Sequence, residues 1–264
     1  ASDVYKRQEM FGGTDPKIVE PFMAAIECIH TYSLVHDDLP EMDDDAYRRG
    51  KLTTHKKFGQ AMGVLAGDAL LNYAFEIVAK ALVAQSGDAK AAKAFEVLAC
   101  KAGIYGMIGG QVVDVESEKK NETVERERLD FIYRLKTGAL LEASLMVGAI
   151  LAGADDAQVK KMEDAGTKLG LAFQIQDDIL DVTSTVEVLG KPIGSDEKNQ
   201  KATYVSFEGI DKAKQDVALF SEEAVAILEE CSGEHAFLRE LFLYLIHREK
   251  SVSYTHLTLP TNSR

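Results

Sequence analysis

The chain of 264 residues is 46% apolar and carries a net charge of −13, a length and balance that suit one globular domain with a sizeable core. Such acidity excludes a protein that wraps nucleic acid or coats an anionic membrane. No uninterrupted apolar run reaches the roughly 18–20 residues of a bilayer span, so no membrane insertion is expected.

Residues 1–8 and 251–264 lack helical periodicity and read as segments foreign to the protein, frayed native ends being the alternative; the start has no apolar signal-peptide core. The domain proper is expected over 9–250. Within it, Ile18, Phe22, Ala25, Ile26 and Ile29 recur at three- and four-residue spacing and predict a helix over 17–39. It should stop before Pro40, because a proline pushes its predecessor away from helical geometry. An acidic cluster sits at that end: His36-Asp37-Asp38-Leu39-Pro40-Glu41-Met42-Asp43-Asp44-Asp45, followed by Arg48-Arg49-Gly50. The Ala-rich stretch 61–83 predicts a buried helix. Further helices are expected over 89–118, 123–152, 156–183, 206–232 and 235–249, with a loop at Gly190–Gly194. No run alternates like a strand, and no repeat or linker marks a boundary, so the expectation is a single-domain all-α bundle. Cys28, Cys100 and Cys231 form no CxxC pair, which argues against a disulfide framework or structural zinc and for a reducing cytoplasm.

A second cluster, Gln174-Ile175-Gln176-Asp177-Asp178-Ile179-Leu180-Asp181, lies inside an apolar helix. Positions 174, 177, 178 and 181 share one helical face. Three carboxylates on one stripe repel each other, and a partly buried one tends to take up a proton. A hard, oxygen-ligated cation resolves this; Mg²⁺ takes one or two carboxylates and fills its sphere with substrate phosphate oxygens. Without a His or Cys cluster, zinc and copper fit poorly. Arg48, Arg49, Lys136, Lys191 and Lys201 recur beside the acidic motifs, which implies a bound anion, most simply a phosphate. A lone Asp-Asp pair is more often a solvated turn; two within apolar helices with flanking cations are not.

The stretch ECIHTYSLVHDDLPEMDDDAYRRGKLTTHKKFG, then GGQVVDV, KTG and FQIQDDILDVTSTVEVLGKPIGSDEKNQKATY, resembles the polyprenyl synthetase family, most closely its bacterial farnesyl diphosphate synthases, from about Phe11 to Lys250. The resemblance implies long helices around a central cavity, a homodimer, and condensation of isopentenyl diphosphate with an allylic diphosphate. By the same carry-over, Asp37, Asp38, Asp43, Asp177, Asp178 and Asp181 hold three Mg²⁺, for which Mn²⁺ can substitute. Arg48, Lys136, Thr137, Gln174 and Lys191 hold the allylic diphosphate with Lys201 nearby, and His30 and Arg49 help hold isopentenyl diphosphate. Tyr32 and Ser33 lie about one turn below Asp37, and in the family an aromatic ring at Tyr32 accompanies a short, C15 product; ordinary core packing accounts for Tyr32 equally well.

One departure stands out. The family carries a Gly-Gly-Lys-x-x-Arg segment upstream of the first motif, and Gly12-Gly13-Thr14-Asp15 does not replace it. The expectation is therefore an active parent and weak isopentenyl diphosphate binding by this chain. The alternatives are a geranylgeranyl diphosphate synthase, a terpene cyclase, disfavoured because the second motif reads DDxxD, and a non-catalytic subunit, disfavoured because both motifs are present.

Overall fold

The structure, a computed structural model, describes residues 12, 15–85, 87–120 (side chains as far as 117), 125–183 and 202–246. The proposed foreign ends, the loop at 190–194, Lys191 and Lys201 lie outside the described residues.

Helix α1 (Pro16–Asp37) starts with Pro at its first position and with the Asp15 carboxylate accepting from the Lys17 backbone N–H, a start that satisfies otherwise orphaned donors. It ends three residues before Pro40, as its sequence predicts. A two-residue hairpin follows, β1 (Tyr47–Arg48) with β2 (Lys51–Leu52), turned by Arg49 and Gly50, both at positive φ; this is the backbone twist that two-residue hairpin loops favour. The fold is all-α as expected, and this hairpin escaped the sequence reading because two residues are too few to show alternation.

The chain continues through α2 (Thr54–Phe58), α3 (Gln60–Ala84), α4 (Ala89–Ala102) and α5 (Met107–Lys120). The single helix expected over 89–118 is thus two, broken at Gly103–Gly106. A side chain at Gly106 would meet the Lys101 carbonyl at 1.9 Å, a close approach that only glycine permits. Next come α6 (Arg126–Ile132), a π-helical turn (Tyr133–Gly138) and α7 (Ala139–Ala152), running on as one rod. Finally α8 (Asp156–Thr183), α9 (Tyr204–Glu208), α10 (Ile210–Glu229) and α11 (Ala236–Ile246) complete the described order. The expected helix over 206–232 is split by Gly209, at φ 79, and begins earlier, at a capping box between Thr203 and Ser206.

Two apolar cores flank α7. Leu145 and Ala149 face one, with Met162, Leu169 and Ile175 of α8 and Leu228, Leu241 and Phe242 beyond. Ala143, Val147 and Ile150 face the other, with Phe22 and Ile29 of α1, Val78 of α3 and Leu98 of α4. A helix apolar on all sides is one the fold buries completely. Across it, Lys101 pairs with Glu142 and Glu163, and Thr167 donates to the fully buried Glu142 carboxylate. α1, α3 and the rod Arg126–Ala152 are each long and apolar enough to cross a membrane, by length and composition alone. Each apolar window holds at most two charged residues, which is why no uninterrupted apolar run of that length shows in the sequence.

Candidate active site

A cavity of about 700 Å³ opens between α1, α5, the π-helical turn, α7 and α8. His30, Tyr32, Ser33, Asp37, Lys136, Thr137, Gln174 and Asp177 line it together, so the structure gathers eight of the residues singled out from sequence. Asp37 and Asp177, the leading aspartates of the two motifs, reach the same cavity from different helices. Its remaining walls are largely apolar, among them Leu71, Met107, Leu140, Leu141 and Phe173.

Asp37 closes α1, and the chain folds back there: the Asp43 backbone N–H donates to the Asp37 carbonyl at 2.9 Å. Burial, with Asp43 and Asp114 close by, raises the Asp37 carboxyl to about 6, although Lys136 and Arg48 pull the other way. Lys136 and Thr137 sit on the π-helical turn, a geometry frequent at functional sites. Thr137 donates to Gln174 Oε1 at 2.8 Å, tying this turn to α8. His30 lines the cavity with its ring kept toward the neutral form, by burial first and then by Arg49 and Arg48 against the opposing pull of Glu27. Tyr32 is buried, packs edge-on against His36 at 5.7 Å, and has its hydroxyl pushed up to about 12 by burial and by Asp37.

The trailing aspartate of each pair behaves differently. Asp38, 3% exposed, accepts from Arg48 Nε at 2.7 Å and lies 2.6 Å from Arg48 Nη2. Asp178, also 3% exposed, accepts from the Tyr133 hydroxyl and, at 2.7 Å, from the Tyr204 backbone N–H. Tyr204 in turn donates its hydroxyl to Asp216, and the Arg126 guanidinium lies 4.0 Å above its ring. Asp38, Asp43, Arg48, Arg49, Asp178 and Asp181 are not among the cavity's lining residues.

Two residues that sequence reasoning passed over belong here. Gln111 Nε2 donates to Asp37 Oδ1 at 2.8 Å, and Lys136 Nζ donates to Asp114 Oδ2 at 2.6 Å. Both come from the GGQVVDV stretch, and their spacing of three on a helix was the available signal.

Among the described residues no group of three or more His, Cys, Asp or Glu side chains converges as a complete metal cage. The donors that do face the cavity are carboxylate oxygens, which suit Mg²⁺ provided a ligand supplies oxygens of its own. A desolvated Asp37 with a raised pKa fits as well, since a cation beside it offsets the burial, and the lesser repulsion from Asp43 and Asp114, that raise it.

A profile of the Polyprenyl synthetase family matches residues 4–238, and the chain belongs to that family. It is 45% identical over 226 residues to the farnesyl diphosphate synthase of Geobacillus stearothermophilus, covering 86% of this chain and 75% of that one. It is 47% identical over 216 residues to the geranylgeranyl diphosphate synthase of Cyanophora paradoxa, covering 82% and 71%. A crystal structure of the Helicobacter pylori geranyltransferase, complexed with magnesium and isoprenyl diphosphate, superposes with a TM-score of 0.75 at 34% identity over 92% of this chain and 76% of that one.

Proposed function

We propose that the chain is the body of a Mg²⁺-dependent prenyltransferase that joins isopentenyl diphosphate to an allylic diphosphate, dimethylallyl or geranyl, giving farnesyl diphosphate. The observation that carries this reading is the single cavity into which Asp37 and Asp177 project together with Lys136, Thr137 and Gln174. In this reading Lys136, Thr137 and Gln174 bind the allylic diphosphate, aided by Arg48, Lys191 and Lys201, while His30 and Arg49 bind isopentenyl diphosphate. The proposed ligand set for three Mg²⁺, or Mn²⁺ in its place, is Asp37, Asp38, Asp43, Asp177, Asp178 and Asp181, with Asp37 and Asp177 foremost because they face the cavity. Bound cations supply neutralising charge to the departing diphosphate.

The chain's own groups do the rest. The Lys136 ammonium and the Thr137 hydroxyl hold the diphosphate while the allylic C1–O bond breaks, its electron pair leaving with oxygen. The terminal double bond of isopentenyl diphosphate then forms a bond to C1, and a proton passes from the neighbouring carbon to the released diphosphate. Phe173, Leu140 and Leu141 keep water from the cation. Buried Tyr32 supports a short product, and the likeness to a geranylgeranyl diphosphate synthase at 47% identity favours a C20 product as the second reading. A cytoplasmic homodimer acting outside the bilayer completes the proposal, supported by three free thiols and by the exposed apolar residues Met62, Leu65, Tyr73 and Val83 of α3.

The test supplies labelled isopentenyl diphosphate, geranyl diphosphate and Mg²⁺ to the chain, alone and preceded by the upstream segment of a relative, and sorts products by length. Farnesyl diphosphate is expected. A cyclised hydrocarbon, or full turnover by Asp37→Ala or Asp177→Ala, would sink the assignment.

A further inference from the structure

We propose that Gln111 and Asp114 are positioning residues of this site: Gln111 fixes the Asp37 carboxylate and Asp114 holds the Lys136 ammonium, so one face of α5 presets two opposite charges that meet the allylic diphosphate. The inference rests on the prenyltransferase reading of the cavity and deepens it.

The geometry is compact. Gln111 and Asp114 stand three residues apart and therefore share a helix face. That face lies against the π-helical turn: a Cβ on Gly110 would stand 2.3 Å from the Lys136 backbone nitrogen. Glycine at 110 thus lets α5 come within hydrogen-bond reach of both partners. One, Gln111 Nε2 to Asp37 Oδ1, spans 2.8 Å and 74 positions of sequence; the other, Lys136 Nζ to Asp114 Oδ2, spans 2.6 Å and 22 positions.

The chemistry of each donor matches its task. Asp37 must keep its charge for a cation, so a neutral amide is the right group to fix its rotamer; an ammonium there would compete with the metal. Lys136 must stay protonated in a half-buried site and face a polyanion, so a carboxylate is the right group to hold it. Exchanging the two chemistries would neutralise Asp37 and leave Lys136 unsupported. Side chains locked in advance by such partners spare the reaction the ordering of its charged groups.

The experiment measures Mg²⁺-dependent binding of geranyl S-thiolodiphosphate, which resists ionisation, by calorimetry on the purified chain, alongside thermal unfolding. Asp114→Asn should weaken the analogue about tenfold at saturating Mg²⁺, the scale of one charged hydrogen bond, and leave the Mg²⁺ half-saturation unchanged. Gln111→Ala should do the reverse, raising the Mg²⁺ half-saturation several-fold, and Gln111→Asn should not rescue it because its amide is one methylene short. Wild-type binding in both variants overturns the proposal. So does a loss of affinity that affects Mg²⁺ and analogue alike and tracks a lowered melting temperature, since that is mere packing. If the wild-type chain itself binds no analogue in Mg²⁺, the prenyltransferase reading fails, and this inference with it.

Discussion

Asp37→Asn should make the metal-free protein more stable at neutral pH while removing its activity. Burial lifts the Asp37 carboxyl from 3.8 to about 6, which corresponds to about 3 kcal/mol of differential interaction. The sign follows from proton counting. Between pH 4 and 6 the folded protein holds a proton on Asp37 that the unfolded chain has released, so stability falls as pH rises through that window and stays low above it. Asparagine never ionises, and its Oδ1 still accepts from Gln111, so the variant escapes the penalty. Solvent at the cavity mouth reduces the gain to about 1–2 kcal/mol, or roughly 2–8 °C in melting temperature for a chain of this size. The assay is thermal denaturation of both proteins in EDTA at pH 4.5 and pH 7.5. Wild type should fall further than the variant between the two. Adding Mg²⁺ and an allylic diphosphate analogue at a hundredfold excess over Kd should then raise wild type alone, by about 2.7 kcal/mol. A variant that melts below wild type at pH 7.5, or shares its pH dependence, would refute the electrostatic account of Asp37.

Gly67→Ala should cost about 1–3 kcal/mol, because its Cβ would stand 2.0 Å from His36 Nε2 and displace the ring from the Val64 carbonyl it meets at 3.0 Å; an unchanged melting temperature would contradict this. Tyr133→Phe removes a donor from buried Asp178 but leaves the Tyr204 N–H, so urea denaturation should show a loss of about 1–2 kcal/mol. Lys101→Met strands the buried Glu142 carboxylate and should cost about 3–5 kcal/mol, most of it recovered by adding Glu142→Gln. If the double variant is no better than the single, burial of an unpaired charge is not the cause.

The helices were legible where apolar periodicity met a hard stop. Pro40 fixed the end of α1, and the long amphipathic run of α8 carried its own boundaries. The break at Gly103–Gly106 was invisible because its two glycines interrupt the helix without a proline to announce it. For the site, residue type and spacing singled out Asp37, Asp177, Lys136 and Gln174, the family resemblance added Thr137, and the fold brings all five to one cavity. The partners of Asp178 could not be read, since Tyr133 and Tyr204 lie 45 and 26 positions away and show no pattern before the helices pack.

Each aspartate pair is divided between the cavity and the protein interior. Neighbouring residues on a helix point about 100° apart, so Asp177 and Asp178 mark opposite edges of the acidic stripe, and of the two only Asp177 lines the cavity. The same holds for Asp37 and Asp38 at the end of α1, where Asp38 keeps helical backbone angles. If one member of each pair meets the cavity, the other turns into protein, where a buried carboxylate is costly unless donors surround it. The fold answers with Arg48 at Asp38 and with Tyr133 and the Tyr204 backbone at Asp178. Those donors come from the hairpin after α1, from the π-helical turn after α6 and from the first residue of α9. Each inward-turned aspartate therefore fastens a neighbouring element to the helix that carries its cavity-facing partner, and one motif both lines the cavity and acts as a clasp.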